Sequence, residues 1–267
     1  MILKKRYEVG ELINQGGQAS IVRAFDSKAK RIVAIKIFDA KTEHGTVGFQ
    51  TEEQIFKKLS KSKYICKRID SIQTPELSVI VLKKYDMDLF DYCFANNERV
   101  ALPLQMRRKI FRQICLGVND MHKNRVAHLD IKPENILLNE NGDAFVCDFA
   151  SACRVKNRSK NQNGQVTGLC GRGTKNYAAP ESVDRNEFDP FKADIYSLGV
   201  LLYTISTGVF PTVGSPRDEV EIDKECFSLI KMMLQMNPEN RPTIQQVLSH
   251  KFLCKSPKFL YPILNNV

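Results

Sequence analysis

Six residues of this chain have types and surroundings suited to chemistry. Lys36 closes the apolar run I-V-A-I-K, where an ammonium is costly unless it meets a partner. Sixteen residues on, Glu52 lies near the start of the stretch T-E-E-Q-I-F-K-K-L-S (51–60). A strand lysine and a helix glutamate that face each other can pair, and the pair can aim the ammonium at phosphate oxygens. A plain surface Lys and Glu account for these two residues equally well. Asp130, Lys132 and Asn135 are set between apolar residues in A-H-L-D-I-K-P-E-N-I-L-L (127–138), and Asp148 follows the next apolar run in F-V-C-D-F-A-S (145–151). Together they offer a carboxylate to orient a hydroxyl, an ammonium, and an amide and carboxylate of the kind that hold Mg²⁺. The turn in L-I-N-Q-G-G-Q-A-S-I (12–21) can lay backbone N–H groups over an anion, though alone it says little. No G-x-x-x-x-G-K-[ST] occurs, which excludes a P-loop.

The elements that must position these residues change character near residue 85. Before it, the runs 7–13, 20–25, 31–38 and 77–82 have strand period and β-branched content. The stretch 51–60 puts Ile55, Phe56 and Leu59 on one face and predicts a helix packed on the sheet. After residue 85, helical spacing predicts helices over 104–122, 194–207, 219–236 and 243–250, punctuated by Pro103, Gly208, Pro211 and Pro238. The expected architecture is α+β: a small sheet lobe with one main helix, about 1–85, and a larger, mostly helical lobe, about 86–267.

Composition narrows the class. The chain has 267 residues, 43% hydrophobic and 26% charged, enough for a real core. The N-terminus lacks a signal-peptide core and no apolar run reaches the ~20 residues of a membrane span, so an intracellular, cytoplasmic protein is expected, with a nuclear one left open. Eight cysteines without a C-x-x-C pair support neither a disulfide framework nor a structural zinc site. The formal charge of +10 favours anionic partners without naming them. No aromatic-basic motif points to nucleic acid.

Over residues 7–253 the chain resembles the eukaryotic-type serine/threonine protein kinases. The resemblance rests on 14–21 as a Gly-rich loop, V-A-I-K (33–36), Glu52, H-L-D-I-K-P-E-N (128–135), D-F-A (148–150) and A-P-E (179–181). Asp194 in D-I-Y-S-L-G and Arg241 in N-P-E-N-R-P resemble two further, structural landmarks. K-P-E-N and G-T-K-N-Y-A-A-P-E (173–181) are similar to the serine/threonine branch. The resemblance implies a single bilobal kinase domain over 1–267 that transfers the γ-phosphate of ATP to Ser or Thr of proteins, with Mg²⁺ or Mn²⁺. The alternative is a pseudokinase that binds nucleotide or scaffolds with little turnover.

The same resemblance implies roles. Lys36, held by Glu52, contacts the α- and β-phosphates; Asp130 orients the substrate hydroxyl; Lys132 steadies the γ-phosphate; Asn135 and Asp148 ligate the metal. The nucleotide is bordered by Ile13, Asn14, Gly16, Gly17, Ile21, Ala34, Leu82, Lys83, Tyr85 and Leu137, with Asp88 at the ribose or a substrate residue. Departures are informative. Gln18 and Ala19 stand in the loop where an aromatic and a glycine are usual. Leu129 replaces the arginine before the catalytic aspartate, which suggests activity without phosphorylation of the segment bearing Ser159, Thr167 and Thr174. Ala150 replaces a glycine, at a cost of about 1 kcal/mol if a left-handed backbone is needed there. The chain after Phe210-Pro211 is shorter than the family pattern by about a helix. Residues 149–180 carry Arg154, Lys156, Arg158, Lys160, Arg172 and Lys175 and no acid, read either as a solvated loop or as a preference for acidic substrates. Oligomeric state is not legible.

Overall fold

The computed structural model describes residues 2–16, 19–94, 101–155, 173–184, 188–211 and 222–254. The chain divides into two units, one of Met1–Lys61 with Ile65–Tyr85, the other of Ser62–Tyr64 with Asp86–Val267.

In the first unit, β1 (Ile2–Leu3), β2 (Tyr7–Gln15), β3 (Ala19–Asp26), β4 (Arg31–Asp39), β5 (Arg68–Gln73) and β6 (Leu77–Lys83) form one antiparallel sheet in the order β1-β2-β3-β4-β6-β5. Alternation decides which face each side chain takes. Val22, Ala24, Val33, Ile35, Val79 and Val81 pack into a core cluster with Tyr7 and Ile72. The intervening positions Ile21, Ala34, Lys36 and Leu82 share the opposite face, with Ile21 paired to Lys36 and Ala34 to Leu82.

The helix of this unit, α1, runs Glu43–Lys58, eight residues earlier than the apolar spacing predicts. Gly45 and Gly48 hid its first turns, since glycine is a poor helix former. Thr42 caps it by accepting from the Gly45 N–H at 3.1 Å. A Cβ on Gly45 would lie 2.1 Å from the Asp39 carbonyl oxygen, so only glycine lets the helix start this close to β4.

The second unit contains β7 (Met87–Asp88), α2 (Leu89–Phe94), α3 (Leu104–Lys123), β8 (Val126–Ala127), β9 (Ile136–Leu138), β10 (Ala144–Val146), β11 (Cys153–Arg154), α4 (Pro180–Asp184), α5 (Pro190–Thr207), α6 (Lys224–Met233), α7 (Ile244–Leu248) and α8 (Lys251–Cys254). Helix α5 is buried on nearly every side, which its nearly all-apolar sequence demands. It begins four residues before the predicted start because Asp189 caps it and Pro190 occupies its first turn, and it ends at Gly208 with φ 73°. The predicted helix 243–250 is two short ones: α7 starts at a capping box between Thr243 and Gln246, and α8 follows a break at Ser249-His250. Of the helix expected over 219–236, residues 219–221 lie outside the described residues, as does the shortened segment 212–221; Asp223 caps α6.

One buried carboxylate fixes the root of the β2–β3–β4 hairpins. Asp26 accepts from Arg6 Nε and Nη2, both at 2.7 Å, and from the N–H groups of Lys28 and Ala29 at 3.1 Å. The bidentate Arg6 guanidinium holds the Asp26 carboxyl down at about 2 despite full burial. A depressed carboxylate stabilises the fold above its unfolded value, near 4, and loses that contribution as pH falls through its folded value. The unfolding free energy of wild type should therefore exceed that of Asp26→Asn by about 2 kcal/mol near neutrality, and the gap should close between pH about 4 and about 2. A gap independent of pH in chemical denaturation would contradict this.

Candidate active site

In the first unit, Lys36 and Glu52 form a hydrogen-bonded ion pair with both side chains buried. The ammonium also lies 5.4 Å from the centre of the Phe38 ring. Burial makes the pair costly to break, since both charges are held away from water. Asn14 sits within β2 opposite Ile21, so its tolerance of left-handed backbone is not used. The turn closes by Gly16 N–H to the Ala19 carbonyl at 3.0 Å; Gly17 and Gln18 lie outside the described residues. Ile13 is 45% exposed. At the end of β6 the Lys83 N–H bonds the Lys67 carbonyl at 2.8 Å, the Tyr85 hydroxyl accepts from the Lys67 N–H, and the Lys84 ammonium bonds the Tyr85 carbonyl.

In the second unit, the loop between β8 and β9 carries Asp130, Lys132 and Asn135. Its anchor is Asp194 of α5, fully buried, whose Oδ1 accepts the Leu129 N–H at 2.8 Å and whose Oδ2 accepts the His128 N–H at 2.9 Å. His122 Nε2 reaches the same Oδ2 at 2.8 Å. His128, also fully buried, bonds through Nε2 to the Cys147 carbonyl at 3.0 Å and accepts the Asp130 N–H at Nδ1. This pattern makes Nε2 the donor and fixes the tautomer. Leu129 takes φ 62°, and its side chain packs among Val155, Tyr177, Ala179, Tyr196 and Val200.

From this anchored backbone the functional groups converge. Asn135 donates from Nδ2 to the Asp130 carbonyl at 2.8 Å and to Asp130 Oδ2 at 3.0 Å. Lys132 Nζ stands 3.1 Å from Asp130 Oδ2 and donates to Thr174 Oγ1 at 2.7 Å. Thr174 donates to Asp130 Oδ1 from both its N–H, at 2.9 Å, and its hydroxyl, at 2.8 Å. Sequence reasoning treated Thr174 only as a residue that phosphorylation might reach; the glycine before it was the available signal. Gly173 has φ 65°, and a Cβ there would lie 2.4 Å from the Leu129 carbonyl oxygen.

Asp148 follows Cys147, whose N–H bonds the Asn135 carbonyl at 3.0 Å, so the two loops are stitched together beside the amide. The left-handed residue of the triplet is Asp148, φ 60°, and not Ala150, which removes the backbone cost considered for alanine. Asp148 Oδ1 accepts the Ala150 N–H at 3.2 Å. Because Asn135 spends Nδ2 on Asp130, its amide oxygen is turned away from those bonds. An amide oxygen and a carboxylate suit a hard divalent cation such as Mg²⁺. Cys147 itself is buried and its main chain does the structural work.

Asp88 pairs with Leu137 in the β7–β9 ladder and accepts the Asp91 N–H at 2.8 Å. Burial pushes its carboxyl up, with the charges of Asp91 and Glu134 adding to the effect. Farther along, Glu181 and Arg241 form a buried two-pronged ion pair, and the guanidinium also donates to the carbonyls of Gln235, Lys192 and Met236. Every N–H of Arg241 is thus used, the condition under which burying an ion pair is tolerable. Of the basic residues in 149–180, Lys156, Arg158, Lys160 and Arg172 lie outside the described residues, together with Ser159 and Thr167.

Comparison with known proteins agrees with this geometry. The model of the protein kinase domain matches residues 7–253. The chain is 30% identical to CBL-interacting serine/threonine-protein kinase 20 of Arabidopsis thaliana over 97% of its own length and 61% of that protein's. It is 31% identical to NUAK family SNF1-like kinase 1 of Homo sapiens, covering 93% and 38%, and 31% identical to maternal embryonic leucine zipper kinase of Xenopus tropicalis, covering 94% and 39%. The chain belongs to the protein kinase domain family, with the sheet and helical units of the α+β fold. It spans about three fifths or less of the length of these relatives. Among the described residues no helix is long and apolar enough to cross a membrane.

Gly173→Ala should lower the unfolding free energy by about 1 to 3 kcal/mol, since both its φ and the Leu129 carbonyl oppose a side chain. Denaturant titration checks this; an unchanged midpoint would mean the turn at Gly173 relaxes freely.

Proposed function

We propose that this chain is a protein serine/threonine kinase, transferring the γ-phosphate of ATP, with a divalent metal, to hydroxyls of protein substrates. The observation that carries the proposal is the hydrogen-bonded set of Asp130, Lys132, Asn135 and Thr174 in one unit, together with the buried Lys36–Glu52 pair in the other. In this reading Asp130 accepts the bond from the incoming hydroxyl and turns its oxygen toward phosphorus. Lys132, already bonded to Thr174, neutralises charge on the transferred group, and Lys36 holds the α- and β-phosphates. Asn135 and Asp148 would hold Mg²⁺, which when bound supplies charge neutralisation at the phosphates. Ile21, Ala34 and Leu82, which share one face of the first unit's sheet, would border the adenine.

The pseudokinase alternative draws no support from these groups, because each catalytic residue type is present with a partner that fixes it. Replacing Asp130 by Asn should cut phosphate transfer to a protein substrate by about 100-fold or more per folded molecule. Transfer equal to wild type would remove the enzyme claim.

Regulation follows from Leu129. An apolar side chain buried against Val155, Tyr177 and Ala179 ties both ends of the 156–172 segment without a phosphate. We infer that activity persists without phosphorylation of that segment. Thr174 is unsuited to an alanine test, since its hydroxyl bonds Asp130. Phosphatase treatment, or alanine at Ser159 and Thr167, should leave transfer within about twofold; abolished transfer would overturn the inference.

A further inference from the structure

The second unit holds a cavity of about 260 Å³ where the C-terminal end of α3, the start of α5 and the start of α7 meet. Its lining includes apolar side chains of Phe191, Ile195 and Ile244 beside His122, Lys123 and Lys192. An apolar cavity of ~150 Å³ holds benzene, so this one has room for an aromatic ring and a short chain. The one acid in the lining, Asp189, is spent on capping α5, accepting the Phe191 and Lys192 N–H groups at 2.9 and 3.2 Å. The Lys192 ammonium is bound to the Arg241 carbonyl, and the Arg125 guanidinium lies 5.9 Å from the centre of the Phe191 ring. Lys123 is exposed and makes no ion pair among the described residues. The surround is therefore apolar with a cationic margin.

One wall of this cavity touches the active-site anchor. The His122 ring packs against Phe191 at a tilt of 54°, centroids 4.6 Å apart, and its Nε2 bonds Asp194 Oδ2. The same carboxylate holds the His128 and Leu129 N–H groups. A single side chain separates the cavity wall from the backbone that presents Asp130.

We propose that this cavity binds a small organic carboxylate with an apolar body, its charge met by Lys123, and that occupancy reaches residues 128–130 through His122 and Asp194. Only the consequence for phosphate transfer rests on the kinase reading; binding and transmission do not. The test uses the full chain with labelled Ile and Leu methyl groups, titrated with 3-phenylpropionate and followed by NMR. The methyls of Ile195 and Ile244 should shift and saturate near about 1 mM, and those of Leu129 should shift with the same midpoint. Lys123→Glu, a surface change, should weaken binding about two- to fivefold, and 3-phenylpropylamine should bind wild type more weakly than the acid. No shift at Ile195 and Ile244, or equal binding of acid and amine, would overturn the binding claim. Shifts there without a shift at Leu129 would overturn the transmission. A chain that binds the acid with these shifts but transfers no phosphate in its absence would overturn the kinase reading and leave this one standing.

Discussion

The arrangement of the second unit depends on a carboxylate buried where a carboxylate should not be stable. Asp194 has no exposure, yet it is surrounded by donors: two consecutive backbone N–H groups and an imidazole nitrogen. Three charge-assisted bonds offset its desolvation, and in return they fix φ and ψ at His128 and Leu129 more tightly than apolar packing alone would. Leu129 can hold a left-handed backbone because its N–H is captured on one side and its side chain is packed on the other. Everything downstream inherits that geometry. Asp130 follows directly, Asn135 folds back onto it, and the Gly173-Thr174 turn closes over it with a fit that admits no side chain at residue 173.

The two units manage charge in the same way. Lys36 and Glu52 are each other's partner in an apolar surround, and Arg241 uses all of its donors on Glu181 and three carbonyls. In each case a burial cost is accepted where a position must be unique. Two departures from the family pattern, Leu129 and Ala150, fall elsewhere. Ala150 avoids left-handed backbone, and Leu129 exchanges a charged contact for an apolar one without disturbing the N–H bonds that its main chain makes. Neither change touches a group that would meet the nucleotide or the hydroxyl.

Much of this was legible in the sequence, for reasons that can be named. Strand period in 31–38 and 77–82 gave the sheet strands, including the one that carries Lys36. Polar residues between apolar ones at 130, 132, 135 and 148 marked the loop. What stayed hidden depended on contacts distant in sequence or on weak local signals. Thr174 looks like any exposed threonine until Gly173 turns it onto Asp130, and the link from His122 to Asp194 spans 72 positions. The first turns of α1 were masked by Gly45 and Gly48, of which Gly45 lies too close to the Asp39 carbonyl at the end of β4 to carry a side chain. Strand β5, R-I-D-S-I-Q, is too polar to announce itself and is ordered by pairing with β6.

The central claim is that the buried Asp194 positions the loop carrying Asp130, Lys132 and Asn135, to which the proposed chemistry is assigned. Single-turnover phosphate transfer by Asp194→Asn, corrected for the folded fraction from its unfolding curve, tests it most directly. An amide offers a donor where the loop also offers donors, so transfer should fall by about 100-fold while nucleotide affinity changes by less than about threefold. Transfer unchanged per folded molecule would show that the loop holds its geometry without this carboxylate, and would contradict the account.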